Sequence, residues 1–106
     1  MDKVIYLDNA ATTRMLPEVV EGMIPYFTEH YGNASSIYRL GQESRKAVSR
    51  AREIIAESIH ADASEIYFTG SGSEADNWAL IEAARSYASK GKHIITSAIE
   101  HHAVLH

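Results

Sequence analysis

The chain has 106 residues, 45% of them hydrophobic and 23% charged, with a formal net charge of −4 at pH 7. Length and composition suit one globular domain able to bury a core, and the acidic balance argues against a broad nucleic-acid footprint. The absence of cysteine excludes disulfides, thiolate metal ligands and thiol nucleophiles from these residues, and no apolar run is long enough to span a bilayer.

Met1-Asp2-Lys3 opens no secretory signal, so a cytoplasmic location is expected. Val4–Leu7 is a short β-prone run, and Asp8 to Thr13 then supplies small, turn-forming residues that read as a loop. From Pro17, the apolar residues Val19, Val20, Met23, Ile24 and Phe27 follow helical spacing, with Pro17 suited to a first turn. Gly22 and Pro25 interrupt that pattern and predict a kink or a second short helix near Pro25. His30–Tyr38 is polar and turn-rich, a loop.

Leu40–Ile59 is the strongest helical segment. Leu40, Ala47, Val48, Ala51, Ile54, Ile55 and Ile59 make one apolar stripe. The other face carries Arg45, Lys46, Arg50 and Arg52, then Glu53 and Glu57. That face reads as solvated, with contact to an acidic partner as the sharper alternative. His60, near the helix end, reads as a partner for the helix dipole.

Ala61–Ser64 is a turn, and Glu65–Asn77 follows as strand, glycine-rich turn and helix start: Ile66-Tyr67-Phe68, then Gly70 and Gly72, then Ser73-Glu74-Ala75. Backbone N–H groups at a helix start are unsatisfied and sit at the positive end of the dipole, so such a turn can hold a phosphate or carboxylate. The plainer reading is an ordinary strand-to-helix turn with Ser71 and Glu74 as a capping box. The helix is expected from Ser73 to about Ser89, packing Trp78, Ala79, Ala83 and Tyr87, with Gly91 placed to end it. His93–Ser97 reads as a second strand, and Ala98–His102 as a loop or the next helix start. The β-α-β order from Ile66 to Ser97 predicts an α/β domain with a parallel sheet.

Six histidines are present, none in HExxH or a similar ligand spacing, so no metal site is expected. The chain stops at Ala103-Val104-Leu105-His106, inside an apolar pattern, which reads as the front of a longer protein.

Gly70-Ser71-Gly72-Ser73-Glu74-Ala75 also satisfies the dinucleotide fingerprint G-x-G-x-x-G/A after a strand. The acidic ribose partner that the fingerprint needs is missing: Thr96-Ser97-Ala98 stands there, with Glu100 arriving late. No lysine follows the glycines, which disfavours a Walker-type loop.

Taken together, Tyr6-Leu7-Asp8-Asn9-Ala10-Ala11-Thr12-Thr13, Tyr31-Gly32-Asn33-Ala34-Ser35-Ser36, Phe68–Asn77 and the Glu100-His101 pair within His93–Leu105 resemble the amino-terminal part of the NifS/IscS-like cysteine desulfurases. These belong to the class V aminotransferase group, which uses pyridoxal 5'-phosphate (PLP). The resemblance implies a fold type I large domain with a mainly parallel sheet flanked by helices. It also implies residues 1–15 as an N-terminal segment near the active site and 16–106 as the first part of the PLP-binding domain.

It places the PLP phosphate on Gly72 and Ser73, and His101 on the pyridine ring with a part in proton transfer. Planarity and titration near neutrality suit imidazole to both tasks. Ala11, Thr12 and Asn33 fall on the substrate side. Two positions depart from the family's pattern: Ala34 stands where relatives usually have proline, which is expected to loosen the loop, and Tyr38 where many have histidine, which removes a polar partner.

The implied activity converts L-cysteine to L-alanine and passes sulfur through an enzyme cysteine to an acceptor protein, for iron–sulfur cluster or thio-cofactor assembly, in a homodimer. The lysine that binds PLP, the acidic residue at the pyridinium nitrogen and the sulfur-accepting cysteine have no counterparts here: the lysines are Lys3, Lys46, Lys90 and Lys92, none in a matching motif. The chain alone is therefore expected to be inactive. It is also expected to order only with the rest of the enzyme or by self-association, because in the family later strands lie between its two predicted ones and the stripe of Leu40–Ile59 is left open. A selenocysteine lyase or another class V enzyme would share the phosphate turn, and a dinucleotide-binding domain is the alternative from another class.

Overall fold

A computed structural model describes residues 4–105. Met1-Asp2-Lys3 and His106, on which the expectations about a leader and the final histidine rest, lie outside the described residues. The described residues hold α1 (Pro17–Thr28), α2 (Arg39–Ser58), a 3-10 turn (Ala63–Glu65), α3 (Gly72–Ser86) and α4 (His102–Leu105). They divide into two compact units, one ending at Ala63 and the other beginning at Ser64.

In the first unit, Pro17 occupies the first turn of α1, where a missing N–H costs nothing, and Glu18 places negative charge at the positive end of the helix. The Leu16 carbonyl opens the helix by accepting from Val19 (3.1 Å) and Val20 (3.2 Å). Pro25 lies inside α1 and starts no second helix. Its ring deprives the Glu21 carbonyl of a donor, and the helix runs only to Thr28, where the Pro25 carbonyl accepts from Glu29 (2.8 Å) and His30 (2.9 Å).

The segment between α1 and α2 is tied to α2 by side chains. Gln42 donates to the Ile37 carbonyl (2.7 Å), Arg45 Nε to the Ala34 carbonyl (2.9 Å), and the hydroxyl of the buried Ser44 stands 3.3 Å from both the His30 and Leu40 carbonyls. Gly41 is buried where a Cβ would stand 2.5 Å from the Asn33 carbonyl oxygen and 2.6 Å from that of Ser36, so the loop approaches α2 only because that residue has no side chain. At Ala34, where loosening is expected, the loop carbonyl is held by the Arg45 guanidinium.

On the basic face, Arg50 pairs with Glu53 (3.1 Å) and Glu57 (3.9 Å), and Arg39 with Glu43 (3.3 Å). These exposed contacts and the Arg45 bond describe a solvated, internally paired face.

The carboxyl end of α2 closes in a Schellman motif. Ala61 N–H donates to the Ala56 carbonyl (2.9 Å) and His60 N–H to that of Glu57 (3.3 Å), with His60 left-handed at φ 57°. His60 thus ends the helix through its backbone. Among the described residues of this unit, Ala56 is the buried apolar side chain at 2% exposure. The predicted stripe is open: Val48 is 41%, Ile54 50% and Ile59 62% exposed.

In the second unit, the segments read as strands, Ile66–Thr69 and His93–Ser97, are non-helical but form no ladder, and neither does Val4–Leu7 in the first unit. The parallel sheet expected from the sequence is absent among the described residues. A strand exists only through bonds to a neighbour, whereas helices satisfy their own backbone. α3 and α4 approach each other closely. The Tyr67 ring meets Trp78 of α3 edge-on at 5.3 Å. α3 ends at Tyr87, before Gly91, with the Tyr87 N–H bonded to the Ala83 carbonyl and the Lys90 ammonium 4.7 Å above the Tyr87 ring. Among the described residues no helix is long and apolar enough to cross a membrane.

Candidate functional site

The glycine turn and the start of α3 form one hydrogen-bonded structure. Ser71 is the N-cap in extended geometry, and its hydroxyl accepts from the Glu74 N–H (3.2 Å). The Glu74 carboxylate reaches back to the Gly70 N–H (2.7 Å), one residue beyond the N-cap. This is the predicted box, shifted by one position on its return arm. Thr69 Oγ1 donates to the Ser71 carbonyl (3.0 Å), and that carbonyl also takes the first helical bond, from Ala75 (3.2 Å).

The capping box consumes Ser71 and Glu74 and leaves the next groups available. Gly72 and Ser73 are the first two residues of the helix, where N–H groups have no intrahelical acceptor. The Ser73 hydroxyl makes no hydrogen bond among the described residues. No atom lies within 4 Å of a Cβ built on Gly72, so the space beside that backbone is open. Neither Gly70 nor Gly72 has a positive φ, so close approach rather than left-handed backbone is what a glycine offers here. The plain and the anion-binding readings of the turn are compatible, since they draw on different residues.

His101 stands at the start of α4. Its carbonyl accepts from Val104 (2.9 Å) and Leu105 (3.3 Å), and its Nδ1 accepts from the Ala103 N–H (3.1 Å). That bond uses the Nδ1 lone pair and leaves Nε2 as the second hydrogen-bonding atom of the ring. The His102 ring lies 6.3 Å away, edge to face. Before it, the Ser97 hydroxyl accepts from the Ile99 N–H (3.3 Å) and shapes the turn out of the His93–Ser97 segment.

Asn77 joins the two parts. Its amide nitrogen donates to the Ser73 carbonyl (2.9 Å) and to the Ala103 carbonyl (3.1 Å). The sequence reading did not single it out. The available signal was its position four residues after Ser73, one turn along the same helix face.

The remaining candidates stand in the first unit. Ala11 and Thr12 form a turn on the Asp8 carbonyl (3.1 and 3.5 Å), followed by Thr13 Oγ1 on the Asn9 carbonyl (3.5 Å). Asn33 accepts from the Ser35 N–H through Oδ1 (2.9 Å) and from the Ser36 N–H through its carbonyl (2.9 Å), an Asx turn that occupies its side chain. All three are exposed. No group of three His, Asp or Glu side chains among the described residues is placed to hold a metal ion.

The aminotransferase class-V family model matches residues 5–106. Similar curated proteins include the cysteine desulfurase IscS of Methanosarcina thermophila, 54% identical over 105 residues, covering 99% of this chain and 26% of that one. The IscS of Clostridium botulinum (strain Kyoto / Type A2) is 52% identical over 106 residues, covering 100% and 27%, and a cysteine desulfurase of Trichormus azollae is 53% identical over 102 residues, covering 96% and 25%. A solved NIFS-like protein superposes with a TM-score of 0.86 at 40% identity, over 95% of this chain and 28% of that one. The chain spans about a quarter of the length of the curated relatives it matches.

Proposed function

Because the chain belongs to the aminotransferase class-V family, we propose that it is the amino-terminal portion of a PLP-dependent cysteine desulfurase. The observation that carries this reading is identity above 50% to several such enzymes across nearly every residue. It favours a desulfurase over a dinucleotide-binding domain, whose acidic ribose partner is missing as well.

The residues present fit the cofactor. Gly72 and Ser73 offer two helix-start N–H groups and a hydroxyl beside open space, which is the donor set a phosphate dianion requires. His101 offers a flat imidazole ring whose Nδ1 accepts from the Ala103 N–H. When bound, PLP supplies an electron sink for negative charge at the substrate α-carbon. Gly72 and Ser73 would hold the phosphate, and His101 would stack on the ring and move a proton through Nε2. Ala11, Thr12 and Asn33 would line the substrate side, with residues 1–15 near the active site and 16–106 as the first part of the PLP-binding domain.

In the complete enzyme, Ile66–Thr69 and His93–Ser97 would become strands of a mainly parallel sheet in a fold type I domain. The substrate would be L-cysteine, the products L-alanine and an enzyme-bound sulfur passed to an acceptor protein. The proposed assembly is a cytoplasmic homodimer. The lysine, acidic residue and cysteine that complete the chemistry are not supplied by the corresponding motifs of these 106 residues.

The test is expression of the full-length polypeptide, with visible absorption for bound PLP and alanine release from L-cysteine. Full-length protein is expected to bind PLP and release alanine, and the 106-residue chain to release none. His101→Gln is expected to retain PLP and lose about 10²–10⁴-fold in kcat. Full-length protein that neither binds PLP nor forms alanine would overturn the reading.

A further inference from the structure

Three hydrogen bonds run from the glycine turn to the His101 ring. Ser73 carbonyl to Asn77 amide is 2.9 Å, Asn77 amide to Ala103 carbonyl is 3.1 Å, and Ala103 N–H to His101 Nδ1 is 3.1 Å. The first lies within one turn of α3 and sets the Asn77 side chain on the backbone that begins the helix. The second crosses 26 positions of sequence, between two helices that approach each other closely. Ala103 lies in α4, and its carbonyl accepts from the Asn77 amide. Both Asn77 bonds go to carbonyl oxygens, so both use N–H, and neither can be replaced by a carboxylate of the same shape.

We propose that Asn77 is a positioning residue for His101, holding the imidazole in place against the Gly72–Ser73 turn through Ala103. Asn77 touches neither cofactor nor substrate. Its amide couples the element that would bind the phosphate to the element that carries the ring, since one side chain bonds to the backbone of both. The inference rests on the desulfurase reading of both.

The experiment is a double-mutant cycle in the full-length polypeptide: wild type, Asn77→Leu, His101→Gln and the double variant. Each is measured for kcat and KM with L-cysteine, for PLP content by visible absorption, and for thermal midpoint. Asn77→Leu keeps the side-chain shape and removes both donors. It is expected to keep PLP content and to hold KM within about twofold, while kcat falls about 10–100-fold, the scale of a small misplacement of a catalytic group. In the His101→Gln background that loss should disappear, since an effect exerted through His101 has nothing left to act on.

A loss that persists undiminished without His101, or that falls on PLP content or KM instead of kcat, would overturn the assignment. Asn77→Asp, also close in shape, carries the same expectation and serves if Asn77→Leu does not fold. A wild-type protein that binds PLP and forms alanine while the coupling is absent would sink the positioning role alone. A wild-type protein that does neither would sink the desulfurase reading, and this inference with it.

Discussion

Replacing His60 with glycine should strengthen α2. His60 closes the Schellman motif at φ 57°, a region that costs a residue with a Cβ roughly 1–2 kcal/mol. Glycine removes that strain and loses roughly 0.5–1 kcal/mol through its more mobile unfolded chain. The net gain is about 0.5–1 kcal/mol, equivalent to about a two- to fivefold increase in the weight of the capped helix. A synthetic peptide spanning residues 38–63 isolates the effect, because it contains all of α2 with both ends. An isolated helix of this length is marginal in water, so its circular dichroism responds steeply to a change at the cap. His60→Gly is expected to raise helicity, and His60→Ala, which keeps the Cβ, to leave that strain in place. Equal helicity in the glycine and wild-type peptides, or the same gain from alanine, would refute the strain argument.

Two further substitutions test the turns described above. Ser71→Ala removes the acceptor for the Glu74 N–H and should destabilise the full-length protein by about 1 kcal/mol, seen as a lower urea midpoint at unchanged m-value. Gly41→Ala would push a methyl group against the Asn33 and Ser36 carbonyls; a cost of about 1–3 kcal/mol is expected, with faster amide exchange at Ser36 if the loop lifts from α2.

Legibility followed the range of the forces involved. The limits of α2 fell within one residue of those read from periodicity, because an apolar stripe, a polar loop before it and a turn after it are all local. Proline was less transparent: of the kink or second short helix expected near Pro25, the second helix does not form, and α1 runs three residues past the ring and ends on its carbonyl. The box at Ser71 and Glu74 was readable from spacing, whereas its displacement to Gly70 depends on the path of the turn.

The sheet was readable as a pattern and is not formed among the described residues, because pairing depends on partners whose positions no local run encodes. Asn77 escaped notice for the same reason. Its bond to Ser73 lies within one helical turn, but its bond to Ala103 exists only after α4 has come to α3. The roles proposed for Gly72, Ser73 and His101 come from motif resemblance; the structure itself shows a helix that starts at Gly72 and an Ala103 N–H bonded to the His101 ring.

The exposed stripe of α2 also has a meaning in time. The carboxyl end of α2 is closed by bonds within a few residues of it, so the helix can form on the order of a microsecond after those residues become free to move. In a polypeptide of the relatives' length, on the order of 300 residues would still remain to be made, which takes tens of seconds at roughly 5–20 residues per second. Val48, Ile54 and Ile59 would stay open to water through that interval each time the helix forms, so the marginal stability of the isolated helix limits how long its stripe is presented.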